Sequence, residues 1–232
     1  MKFKFLKRAL GAASLAALMA VPAFAGVVTF EEPAAGTLVF AGDAFSSGGM
    51  SFMANGSFGT IDTVAAYGAG SGLDLAAPRG NATQFYAGFN DSSLTMKAED
   101  GSAFRLAGLD FVFVSALTDL FLPGELPGFL VAAYTAVGGA TGVMTWSFDV
   151  ADLNGEFNFR TLGLSDMGVM SSGVTQVDFF ACTANAAGDC VQGNVNFSQF
   201  AVDNITVPEP GSLALVALAL GVAGGLRKRR SV

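Results

Sequence analysis

The chain has 232 residues, with 12 Lys+Arg against 19 Asp+Glu and no histidine. The lack of histidine excludes Ser-His-Asp and Cys-His catalysis and the usual zinc sites. Few charges, 30 Gly and 22 Phe indicate an all-β domain with a large aromatic core.

Lys2, Lys4, Lys7 and Arg8 make a basic start, residues 9–21 are apolar, and Ala23-Phe24-Ala25 is an A-x-A cleavage pattern. Residues 1–25 therefore read as a signal peptide for signal peptidase, with the mature chain starting at Gly26. The alternative is an uncleaved anchor. Four more cations lie at the far end, which leaves Arg79, Lys97, Arg105 and Arg160 against all 19 carboxylates, a formal charge near −15. Such a body repels nucleic acid and anionic lipid. It suits solubility outside the cell, or divalent cations.

Residues 27–30 read as a first strand, ending at Glu31-Glu32-Pro33, and residues 50–54 as another. Residues 65–75 form a Gly/Ala/Ser-rich loop around Asp74, and residues 83–89 a strand bearing Phe85, Tyr86 and Phe89. The Gly68–Gly72 stretch lacks the strand–helix context of a phosphate loop. Residues 93–98 and 103–114 alternate as a hairpin about Asp100-Gly101, with Gly108 as a bulge. Residues 126–148 carry no charge, but Pro127, Gly128, Gly138, Gly139 and Gly142 rule out a membrane span. Two strands, 129–137 and 143–150, fit better. Further strands are expected at 157–162, 174–183, 195–197 and 200–207. This pattern predicts a single β-sandwich or jelly-roll-like domain over residues 26–206. Cys182 and Cys190, the only cysteines, are expected to form one disulfide in an exported chain.

The last stretch has three parts: Val207-Pro208-Glu209-Pro210, an uncharged apolar run over 211–226, and Arg227-Lys228-Arg229-Arg230. As a helix the apolar run rises about 24 Å against roughly 30 Å of bilayer hydrocarbon, a short transmembrane span. The cations hold their end in the cytoplasm. A buried core helix is the alternative.

Pro208-Glu209-Pro210, the Leu/Ala-rich run and Arg227–Arg230 together closely resemble the PEP-CTERM sorting signal of exported Gram-negative proteins. The resemblance assigns residues 207–232 to sorting. It implies an exosortase as partner, transient membrane insertion through the tail, and passage through the inner membrane and periplasm to the cell surface or extracellular matrix. Gln199, Phe200 and Asp203 also resemble the Q-F-x-x-D last strand of one group of such proteins, which implies a β-rich domain without an established activity.

Glu31 and Asp203 lie at the two ends of the body, and first and last strands are neighbours in many sandwiches. Carbohydrate-binding jelly rolls resemble this in holding a structural Ca²⁺ there, so both residues are candidate calcium ligands, with oxygen donors of the kind calcium takes. Otherwise Asp203 caps a turn and the glutamates face water. Trp146 and Tyr134, in the uncharged hairpin, are candidates for stacking on sugars, against a core role. Asp149, Asp152, Glu156 and Asp166 are candidates for two-carboxylate hydrolysis, against turn solvation. Five Asn-x-Ser/Thr matches, including Asn81-Ala82-Thr83 and Asn204-Ile205-Thr206, read as chance turn sequences. The expected role is a non-catalytic surface or matrix protein, with polysaccharide as partner. The alternatives are an exported carboxylate hydrolase and a purely structural or adhesive protein.

Overall fold

The computed structural model describes residues 26–68, 70, 75–116, 121–185, 187–191 and 199–208. The expected signal peptide, the strand at 195–197, and the sorting residues Glu209, Pro210, Arg227, Lys228, Arg229 and Arg230 with the helix at 211–226 lie outside them. Among the described residues no helix is long and apolar enough to cross a membrane.

Among the described residues fourteen strands follow in chain order: β1 Gly26–Val28, β2 Thr37–Phe40, β3 Ala44–Ser47, β4 Met50–Asn55, β5 Phe58–Asp62, β6 Phe85–Phe89, β7 Ser93–Ala98, β8 Gly108–Phe113, β9 Gly128–Ala136, β10 Thr141–Ser147, β11 Arg160–Leu162, β12 Val174–Ala184, β13 Cys190–Val191 and β14 Phe200–Val207. They form two antiparallel sheets. One runs β11-β8-β14-β6-β5-β2 with β1 also on β14; the other runs β10-β9-β12-β7-β4-β3 with β13 on β12. The all-β expectation holds. The only helices among the described residues are short 3₁₀ turns such as Leu164–Asp166 and Gly168–Ser171.

Alternation along each strand sends one face inward, and aromatic rings fill the space between the sheets. Phe45 and Phe52 of the second sheet meet Tyr86 of the first and Phe30, just past β1, with centroids 5.2–6.4 Å apart. Gly88 on β6 makes room for this packing. A Cβ there would stand 2.8 Å from the Phe200 ring and 2.6 Å from Ser92 Oγ.

The uncharged stretch is the β9–β10 hairpin, in unbroken register from Thr141↔Thr135 to Ser147↔Phe129. The expected hairpin across Asp100-Gly101 is corrected. The turn exists, with Gly101 at φ 72° and the Ser102 N–H on Asp100 Oδ1, 2.8 Å. Yet β7 and β8 belong to opposite sheets, because residues 99–107 carry the chain from one layer to the other. The bulge near Gly108 sits on its partner: β14 advances from Asp203 to Thr206 while β8 steps from Asp110 to Gly108. The disulfide Cys182–Cys190 is formed, with Cα atoms 5.5 Å apart, and it ties β13 to the end of β12.

Candidate functional site

β14 is central in its sheet, and two short strands share one of its flanks end to end. β6 pairs with Phe200–Val202, and β1 pairs with Ile205–Val207. First and last strands are thus neighbours, as expected. Where β1 leaves and β6 enters, the ladder on that flank is interrupted opposite Asp203 and Asn204. Two non-glycine residues take left-handed backbone at this break, Phe30 at φ 56° and Asn204 at φ 49°. For a bulky ring such a conformation costs on the order of 1–3 kcal/mol. Full burial of the Phe30 ring in the core is of comparable size, about 1.5–3 kcal/mol, and offsets it.

Side chains replace the missing ladder bonds. Glu31 accepts the Gln84 backbone N–H at 2.8 Å and its Nε2 at 2.9 Å. These two bonds hold its carboxyl below the usual range. Asp203 is fully buried. Its Oδ2 lies 2.7 Å from Asn81 Nδ2 and 2.6 Å from Thr83 Oγ1. Thr83 Oγ1 is also 2.6 Å from Asn81 Oδ1. A hydroxyl has one proton to donate. Thr83 shares that proton between Asp203 and Asn81 while Asp203 is ionised; a protonated Asp203 can donate to Thr83, which then donates to Asn81 alone.

Burial pushes the Asp203 carboxyl up, the Thr83 and Asn81 hydrogen bonds pull it back, and Asp110, directly opposite on β8, pushes it up further, to about 6. Asp203 Oδ1 is buried and receives no hydrogen bond of good geometry, the Asn204 N–H being only near enough to favour the charge. Gln84 Oε1 is likewise buried without a partner. Asp110 itself accepts Thr161 Oγ1 at 2.6 Å and Asn204 Nδ2 at 2.7 Å.

The two candidate calcium ligands therefore converge on one segment, residues 81–84, and each binds a different part of it. Glu31 is exposed, with both oxygens facing Gln84 donors. Asp203 alone has a buried oxygen to spare. Among the described residues no three acidic side chains group to bracket a metal. Asn81 and Asn204, in two of the Asn-x-Thr matches, each donate their side-chain amide to a carboxylate, Asp203 and Asp110.

Trp146 and Tyr134 sit on the inward face of the hairpin, partly buried against the core. The Trp146 Nε1–H donates to the Asp166 carbonyl at 3.2 Å. The exposed ring is elsewhere. On the outer face of the first sheet Phe40, 55% exposed, is the strand partner of the half-buried Phe58, whose ring lies 5.2 Å from that of the buried Phe89. Neither β2 nor β5 was expected, so sequence reasoning missed this pair; Leu38-Val39-Phe40 was its only signal.

Of the four candidate hydrolytic carboxylates, Asp152 and Glu156 lie together on Arg79, and both are tied into the turn they belong to. Asp152 accepts the Glu156 and Asn154 N–H groups, which with Arg79 hold its carboxyl below the usual range. Arg79 bridges it to Glu156, at 3.6 Å from Asp152 Oδ2. Asp166 Oδ2 accepts the Gly163 N–H at 2.9 Å, and Asp149 is exposed.

No curated protein matches the chain. Among solved structures, a DUF4465 family protein from Bacteroides caccae is similar at 12% identity, over 80% of this chain and 99% of that one, with a TM-score of 0.46. Residues 206–230 match the family model of the PEP-CTERM protein-sorting motif. The match begins within β14, so the last strand of the sandwich runs directly into the tag, and the chain carries a PEP-CTERM sorting signal, the mark of an exported exosortase substrate.

Proposed function

We propose that the protein is a non-catalytic component of the cell surface or extracellular matrix that binds polysaccharide. The sorting motif at 206–230 carries the exported part of this reading. The glycan part rests on the Phe40–Phe58 pair, whose outer ring is the flat apolar surface a pyranose face can cover. The lowered carboxyl of Asp152, tied to two backbone N–H groups and Arg79, favours a non-catalytic role, since an acid catalyst needs a carboxyl held above its ordinary range.

A structural calcium is proposed at Asp203 rather than at Glu31 and Asp203 jointly. It would draw on the open Asp203 Oδ1 and contribute charge neutralisation at a buried carboxylate. Glu31 instead fastens residue 84.

A glycan array probed with the wild-type chain and with Phe40→Ala tests the main reading. Binding to at least one polysaccharide class is expected, with about a tenfold loss in the variant. No binding to any glycan, or equal binding by both proteins, would point to a purely structural surface protein. Release of reducing sugar would point to a hydrolase.

A further inference from the structure

Among the described residues nothing pairs with the far side of β10, the outermost strand of its sheet. Sheets usually blunt such an edge with charge, proline or a bulge. β2, an edge of the other sheet, follows this rule: the Asp43 carboxylate accepts the Phe40 N–H at 2.9 Å. β10 has no such device. Its sequence TGVMTWS has no charge and no proline, and its register with β9 is unbroken. Among the described residues its last residue is bonded from outside the hairpin, where Arg160 donates to the Ser147 carbonyl at 2.8 Å.

The surroundings are apolar. Val143 on β10 is 62% exposed, and Val137 at the hairpin turn equally so. The segment after β11 lies alongside: Gly168 is against the Met144 methyl, and the Gly173 carbonyl accepts the Val137 N–H. That segment adds the exposed Leu164 and Val169. A contiguous apolar fringe of this kind marks an association surface.

Charge selects the partner. A body near −15 repels a second copy over most of its surface. Residues 126–148 are free of charge, so this edge itself brings no carboxylates face to face. A strand meets itself antiparallel about a two-fold axis. With the axis at Met144, Val143 of one copy faces Thr145 of the other on the outer face, a β-branched pair with no clash of charge.

We infer that β10 pairs antiparallel with β10 of a second copy of this chain, extending the β9–β10 sheet across a two-fold dimer. The glycan reading uses the opposite edge, at β2, and is independent of this one.

Sedimentation of the full chain in mild detergent tests the inference, comparing wild type with Val143→Lys and Thr145→Lys. Both positions are exposed on one copy, so an unchanged β-sheet circular-dichroism spectrum and an intact disulfide are expected in the variants. The wild type should sediment as a dimer, and each lysine should raise its dissociation constant by about tenfold or more. A monomeric wild type would overturn the inference, as would a dimer that survives both lysines, because the tail or another face would then be responsible.

Discussion

Asp203 keeps a carboxyl where water does not reach, and the sign of its effect on stability follows. Its folded pKa, about 6, lies above the ordinary 3.8. The native state therefore holds a proton that the unfolded chain releases between those values. Stability from this residue is complete below about pH 4 and is lost as pH rises through about 6. The difference is on the order of 3 kcal/mol. Glu31 works the other way, since its lowered pKa favours the native state only once it is ionised, above the ordinary carboxylate range. Melting midpoints measured from pH 4 to 7 should fall with pH in the wild type. Asp203→Asn, which can donate to Thr83 as the protonated acid does, should flatten that slope and match or exceed the wild type at pH 7. An unaltered slope in the variant would refute the assignment. Calcium at Asp203 gives a different pattern: EDTA would lower the wild-type midpoint at pH 7 and leave Asp203→Asn where it was.

At the scale of the elements, the glycine on β6 is set by its neighbours across the sheet. Gly88→Ala drives a methyl into the Phe200 ring and Ser92, and should cost about 1–3 kcal/mol, read as a lowered urea midpoint. Elements with strong internal patterning were legible in the sequence. β12, β14 and the β9–β10 hairpin carry sustained β-branched and aromatic residues, and their observed bounds lie within a few residues of expectation. The short strands β2, β3 and β5 were not, because four or five residues, with Gly59 inside β5, carry too little pattern. The Asp100-Gly101 turn was legible as a turn but not as an inter-sheet crossing, since turn chemistry fixes a local reversal and not the layer entered next. At the site, the meeting of first and last strands could be anticipated. The bonds of Asp203 to Asn81 and Thr83 could not, because partners about 120 residues apart leave no local trace.

For the whole molecule, the division is between a β-sandwich and an address. Gly26–Pro208 form one compact unit, and β14 leads straight into the sorting motif. Replacing Arg227, Lys228, Arg229 and Arg230 with serine should leave the sandwich and its disulfide intact while abolishing tail processing. An unprocessed, slower-migrating chain should then accumulate in cell fractions, and normal surface delivery would contradict the role given to those cations. The placement of β14 also has a mechanical consequence. Its terminal Val207 ends a strand held on both flanks, by β8 and by β6 and β1 in succession. A pull applied at Pro208 along the strand axis loads those ladders in shear, so that their bonds share the force instead of unzipping singly. Attached by this end, the protein would resist being torn from its mooring by flow better than one whose tether left from a sheet edge.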